Sequence, residues 1–327
     1  MAINWQPSAD IETLIWRAQL LTDVRHFFAE RDILEVETPI LSQSAPTAPY
    51  LDSFTADYIP IGEASSRQAY YLQTSPEFAM KRLLADGSGP IYQLARVFRN
   101  GETGGHHSPE FTMLEWYRPG LSLNELIVEV DDFLQQILHT PPAIKRRYQQ
   151  LFQQYLLIDI FTSSDEEIEH CAIEQITGLP ADLQIDRDGW LELLMTHVIE
   201  FELEKLNVPV FVYDYPASQA QLAKVVKDNN GNAISARFEL YVGGLELANG
   251  YDELLDANEL QQRFEKDNQQ RRSQGKSEMP IDENLLAAMD YGLPECSGVA
   301  LGIDRLIMLA MNKQTIQAVL SFGFEQS

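Results

Sequence analysis

The first strong signal along the chain is a helical repeat. Leu14, Ala18, Leu21, Val24 and Phe28 fall three or four residues apart, which predicts an amphipathic helix over residues 11–31 with Asp32 as its breaker. A strand is expected over 33–38, closed by Pro39, which lacks the N–H a ladder needs. Residues 42–68 carry Pro46, Pro49, Pro60 and Gly62 and read as irregular. A short strand at 70–73 then enters Thr74-Ser75-Pro76-Glu77. There Ser75 is the expected cap, and Pro76 suits the first turn of a helix bearing Phe78, Met80, Leu83 and Leu84. Leu126, Val130, Phe133, Leu134 and Ile137 predict a further helix. Residues 140–207 read as helical and acidic, with no constellation of reactive groups.

Elsewhere the period changes to two. Residues 91–119, IYQLARVFRNGETGGHHSPEFTMLEWYRP, read as two strands joined by a polar, Gly-rich loop over 100–109. Val97 and Arg99 share a face of the first strand. On the return strand Phe111, Met113, Glu115 and Tyr117 share one face, and Thr112, Leu114 and Trp116 take the other. Two readings fit: a polar-ligand site under a closing flap, or a half-exposed hairpin with a surface salt bridge.

After a strand expected over 210–213 and ended by Pro216, residues 237–253, RFELYVGGLELANGYDE, offer Gly243-Gly244 as a hairpin turn. That turn places Val242 opposite Leu245, Tyr241 opposite Glu246 and Glu239 opposite Ala248. Glu239 and Glu246 then share a face one diagonal step apart, where two carboxylates repel unless a cation lies between them. The competing reading is a solvated acidic face. Strict alternation sends Asn249, Tyr251 and Glu253 to the other side, unless a bulge at Asn249-Gly250 returns them. Residues 255–279 read as a polar helix plus loop. Residues 296–305, CSGVALGIDR, read as a strand delivering a helix with Ile303, Leu306, Ile307 and Ala310 as its buried stripe. Arg305 falls in that helix's first turn, where free N–H groups and a guanidinium make an anion site or simply an exposed arginine.

Bulk properties narrow the classes. With 327 residues and 45% hydrophobic content the chain can build a sizeable core as one large domain or two small ones. No apolar run reaches the roughly 18 residues of a membrane span, and the opening MAINWQPSAD shows no signal-peptide pattern. Cys171 and Cys296 have no metal spacing and read as small buried residues of a reducing, cytoplasmic compartment. A net charge of −25 works against general nucleic-acid binding, because phosphates are met by Lys and Arg. The runs at 145–147 and 271–272 read as solvated faces.

Taken in order, the arginine at a strand end with its loop, the carboxylate hairpin and the strand–helix junction resemble the three motifs of class II aminoacyl-tRNA synthetases, in the lysyl branch. Residues 27–39 look like motif 1, 96–117 like motif 2 and 298–309 like motif 3. The resemblance implies one α+β catalytic domain over residues 1–327, an antiparallel sheet flanked by helices, dimeric through motif 1. It implies ATP and Mg²⁺ as cofactors, with Arg99 on the α-phosphate, Arg305 on the γ-phosphate, Phe111 against adenine, and Glu239 and Glu246 on the metal. Asn100, Gly101, Glu102, His107, Ser108, Leu247 and Gly302 complete the implied ATP site. Ser75, Pro76, Glu77, Glu115, Tyr117, Asn249, Tyr251, Glu253 and Ala300 form the implied site for lysine or β-lysine.

Within that class two departures from a tRNA-charging enzyme stand out. Only about ten residues precede the first catalytic-domain helix, so an OB-fold anticodon domain is expected to be missing, and Ala300 stands where the synthetases usually have Gly. Both, with the acidic charge, resemble the paralogous family that activates (R)-β-lysine and passes it to a lysine of elongation factor P, with tRNA disfavoured as acceptor. One position breaks motif 2: Gly101 followed by Glu102 replaces the usual glutamate at 101. The alternatives are a lysine-adenylating enzyme with a tRNA or small-molecule acceptor, and a non-catalytic regulatory paralogue that binds a partner protein.

Overall fold

The computed structural model describes residues 5–62, 66–180 and 182–326. Contacts divide the chain into two compact units, one of Met1–Gly120 with Leu255–Ser327 and one of Leu121–Leu254. The architecture is α+β, with helices against a mainly antiparallel sheet.

In the first unit the sheet runs in the order Leu34–Glu35, Ile91–Phe98, Glu110–Pro119, Cys296–Gly302. The Ile11–Ala29 helix begins at Asp10, whose side chain accepts the Thr13 N–H at 2.7 Å, and packs Phe27 and Phe28 inward. Phe28 stacks on Tyr92 with centroids 4.2 Å apart and meets the edge of Trp116 at 5.4 Å. The strand expected over 33–38 is shorter than its pattern: only Leu34–Glu35 pairs, in parallel, with Ile91 and Tyr92. One further bond, Val36 N–H to the Tyr92 carbonyl at 2.9 Å, precedes Pro39. A small sheet orders Leu41–Ser42, Gln68–Leu72 and Thr55–Tyr58. The Glu77–Ala85 and Ala257–Ser273 helices both pack on Glu283–Gly292.

In the second unit the sheet runs Leu245–Asp252, Ala233–Val242, Val210–Pro216, Ile144–Arg147, with Val225–Lys227 also on Ala233–Val242. Residues 140–207 are therefore not wholly helical. Ile144–Arg147 is a strand, parallel to Val210–Pro216, and its alternation is too short to stand out from sequence. The Leu123–Leu138 helix opens on a Ser122–Glu125 capping box and buries Leu126, Ile127, Val130, Phe133 and Leu134. A separate core joins Phe152, Ile168, Trp190, Leu194 and Val212. Cys296 is buried and Cys171 half-buried, both as free thiols.

Candidate active site

In the first unit, Ile91–Phe98 and Glu110–Pro119 pair antiparallel with Val97 opposite Phe111 and Gln93 opposite Glu115. The next strand continues the same face, placing Ala300 opposite Glu115 and Gly298 opposite Tyr117. Arg99 leaves the first strand, held by its N–H to the Pro109 carbonyl at 2.9 Å. Its guanidinium lies 5.2 Å from the Phe111 ring centroid and 3.8 Å from the Glu102 carboxylate. Its Nε is buried without a protein acceptor, which suits an incoming anion. The Asn100 N–H bonds the Asp52 carbonyl at 2.8 Å, and Gly101 turns the chain at φ +86°, a conformation that favours glycine. The glycine that replaces the usual glutamate is thus the residue its turn requires, and the carboxylate one position later reaches Arg99. Ser108 is buried, while Phe111 is half-buried.

Arg305 stands in the first turn of Ile303–Ala310, after Gly302, with no side-chain cap at the helix start. Its Nε donates to the His106 carbonyl at 3.3 Å, and an Nη lies 2.8 Å from His107 Nε2. With Arg305 donating, His107 is neutral and carries its proton on Nδ1. Desolvation of the ring, then the Arg305 charge, holds its pKa below the usual histidine range, although the side chain keeps an exposed edge. The helix is fixed by Asp304, fully buried, which accepts from Arg17 Nη1 at 2.5 Å and from the Thr112 N–H at 2.6 Å. Arg17 also donates to Thr112 Oγ1 at 2.8 Å.

A second cluster of the same unit gathers around Glu115, a carboxylate only 1% exposed. Ser75 Oγ donates to its Oε1 at 2.6 Å and Tyr117 donates to its Oε2 at 3.1 Å. The neighbouring helix starts at Glu77 with Pro76 in the cap position, one residue later than expected. Ser75 still accepts the Glu77 N–H at 3.0 Å. Lys81, buried one turn on, places its ammonium 2.5 Å from Glu77 Oε1.

In the second unit the hairpin turns at Gly243-Gly244, with Tyr241 opposite Glu246 and Val242 opposite Leu245. The register then shifts: Leu240 faces Ala248 and Glu239 faces Asn249, not Ala248, so the extra residue is Leu247 rather than one at Asn249-Gly250. Leu247 is buried, and burial of its side chain gives the bulge a reason that periodicity alone lacks. The shift sets Arg237, Glu239 and Tyr241 on one face with Tyr251, Asn249 and Glu246. Glu239 is heavily bonded, by Arg237, by the Tyr215 hydroxyl at 2.5 Å and by the Tyr241 hydroxyl at 2.6 Å. Arg237, 3% exposed, lies over the Tyr215 ring at 4.4 Å and donates to the Gln219 carbonyl at 3.0 Å. Asn249 donates to the Tyr251 hydroxyl at 3.0 Å, which in turn bonds Gln221, while Asn249 Oδ1 is buried with no partner. Glu253, 1% exposed, sits where an isolated bridge joins it to Ala223.

Among the described residues no group of three His, Cys, Asp or Glu forms a self-sufficient metal cage. The hairpin donor set nevertheless fits Mg²⁺, which takes hard oxygens from one or two carboxylates and completes its shell with phosphates and water. Glu239 and Glu246, on one face of the hairpin, are the carboxylates that would supply such oxygens. With three protein donors already on it, Glu239 keeps roughly one of its ~four lone-pair positions.

Sequence reasoning missed Lys81, the Arg17–Asp304 pair and Arg237. Lys81 had a local signal, since a lysine four residues after a glutamate on a helix is a pairing pattern. Arg17 and Asp304 are 287 positions apart and had none.

Comparison with known proteins shows the family. The family model described as tRNA synthetases class II (D, K and N) matches residues 4–326. Proteins named elongation factor P–(R)-beta-lysine ligase from Salmonella paratyphi A, Salmonella schwarzengrund and Salmonella choleraesuis are each 47% identical over 324 residues, covering 99% of this chain and 98% of theirs. The chain therefore belongs to the class II tRNA synthetases of the D, K and N group.

Proposed function

We propose that this protein uses ATP to activate (R)-β-lysine as an acyl-adenylate and transfers the acyl group to a lysine ε-amino group of elongation factor P. The observation that carries this reading is near-complete, 47% identical coverage by relatives of that name. Glu115, buried among Ser75 and Tyr117, adds a carboxylate suited to a substrate ammonium. In the first step a carboxylate oxygen of the amino acid attacks the α-phosphorus, and the bond to pyrophosphate breaks. In the second, the deprotonated ε-amine attacks the acyl carbon and AMP leaves.

Arg99, with Nε unsatisfied, and Arg305, at a helix start, neutralise phosphate charge. On this reading Phe111 would offer its face to the adenine and the backbone around Asn100, Gly101 and Gly302 would line the nucleotide, while Leu247 is the second unit's residue read as ATP-binding. Glu102, His107 and Ser108 belong to the same loop. Glu239 and Glu246 would hold Mg²⁺, which when bound screens the triphosphate charge. In the first unit Glu77 and Glu115, and in the second Asn249, Tyr251 and Glu253, are the residues we read as amine-binding. Tyr117, Pro76 and Ala300 shape the walls. Positioning and charge neutralisation account for the rate without a dedicated general base.

We also read the whole chain as one catalytic domain that works as a homodimer in the cytoplasm. Exposed Ile11, Ile15, Leu34, Ile40 and Leu41 around motif 1 support the dimer. Among the described residues no helix is long and apolar enough to cross a membrane. The net charge of −25 disfavours tRNA as acceptor.

The test is ATP–pyrophosphate exchange run side by side with α-lysine and β-lysine, followed by incubation with elongation factor P and mass spectrometry. Exchange favouring β-lysine and one β-lysyl mass on the factor are expected. Absence of exchange with both amino acids refutes the reading.

A further inference from the structure

Lys81 is among the largest side chains to be fully buried, at 2% exposure, and it lies on the Glu77–Ala85 helix between buried Met80 and Leu84. An ammonium taken out of water is costly unless a partner and good geometry offset the loss. Its partner is Glu77 Oε1 at 2.5 Å, in an i, i+4 relation along the helix. Exposed pairs of this spacing contribute little, and an apolar residue would serve a purely structural helix better at so buried a position. The carboxylate it holds is itself 14% exposed and so keeps an opening to solvent.

The surroundings give Glu77 a fixed backbone as well. Its N–H is bonded to Ser75 Oγ at 3.0 Å, and the same hydroxyl donates to Glu115 Oε1 at 2.6 Å. Ser75 therefore ties the start of the helix to the buried carboxylate, while Lys81 ties down the Glu77 side chain. The lysine ammonium fixes the orientation of the Glu77 carboxylate plane.

We infer that Lys81 is a positioning residue for substrate recognition: it holds the Glu77 carboxylate in one orientation, so that Glu77 presents an oxygen to an ammonium group of the amino-acid substrate. The inference rests on the reading of Glu77 as an amine-binding residue given under Proposed function.

The experiment is pyrophosphate exchange with β-lysine for wild type, K81M and K81R, with the KM for β-lysine and the KM for ATP measured separately. In K81M the KM for β-lysine is expected to rise about 10- to 100-fold, the range of a lost charge-assisted bond. The ATP KM should change less than about twofold. K81R, which keeps the charge, should recover most of the amino-acid KM. A merely structural role would lower thermal stability and the active fraction without this KM split and without rescue by K81R. Folded K81M with an unchanged amino-acid KM overturns the inference. Should K81M fail to fold, K81Q, a polar neutral replacement, takes the same test with the same two outcomes. A wild type inactive with both amino acids overturns the functional reading and this inference together; an active wild type with an indifferent Lys81 overturns only the latter.

Discussion

Replacing Asp304 by alanine should destabilise the first unit and disable Arg305 without touching any implied ligand contact. Asp304 is 1% exposed, and its two oxygens are taken by Arg17 Nη1 at 2.5 Å and by the Thr112 N–H at 2.6 Å. Alanine leaves the Thr112 N–H buried without an acceptor, a loss of about 1–3 kcal/mol. It also leaves Arg17, 15% exposed, without its counter-charge. Removing one partner of a buried pair costs about 3–5 kcal/mol in total, but the Arg17 bond to Thr112 Oγ1 at 2.8 Å remains, so the lower half of that range is expected. Asparagine keeps an acceptor for Thr112 and loses only the charge, so about 1.5–3 kcal/mol is expected for D304N. Equilibrium urea unfolding, followed by fluorescence and far-UV circular dichroism, measures both. In the exchange assay the ATP KM should rise in each variant, because the first turn carrying Arg305 is no longer anchored. A D304A loss below about 1 kcal/mol, or D304N as damaging as D304A, would refute the ion-pair reasoning.

Two further outcomes follow from backbone and charge. A Cβ on Gly244, at φ +75°, would lie 2.9 Å from Glu204 Cβ and 3.2 Å from the Glu200 carbonyl, so G244A should lose about 1–3 kcal/mol in urea unfolding. Gly243, at φ +59° with nothing within 4 Å, should accept asparagine within about 0.5 kcal/mol. Burial alone would raise the Asp52 carboxyl, but bonds from Arg271 at 2.7 Å and Lys276 at 3.1 Å hold it below the ordinary value. A lowered folded pKa contributes stability above the unfolded value near ~3.9, lost as pH falls through the folded value. The melting temperature of wild type should therefore drop more steeply than that of D52N below about pH 4, and parallel curves would contradict the assignment.

Local pattern was enough for much of this protein. Period-two spacing put Phe111, Met113, Glu115 and Tyr117 on one face, and the pairings with Val97, Ala95, Gln93 and Ile91 keep them there. Gly243-Gly244 located the turn, and the 296–305 stretch located the junction that carries Arg305. These features are legible because backbone geometry repeats every two or 3.6 residues and turn residues act on their own dihedrals. Motif order added the family, which the match over residues 4–326 shows.

The sequence did not determine where the second hairpin bulges, why the strand after the first helix stops at Glu35, or that a lysine lies buried against Glu77. The bulge at Leu247 follows from which side chains are buried, and one step of register reassigns every face beyond it, moving Asn249 opposite Glu239. Arg17 and Asp304 meet only because the folded chain brings distant segments to the same strand. Lys81 looks from sequence like any exposed helical lysine; tertiary packing alone removes it from water and makes its charge matter.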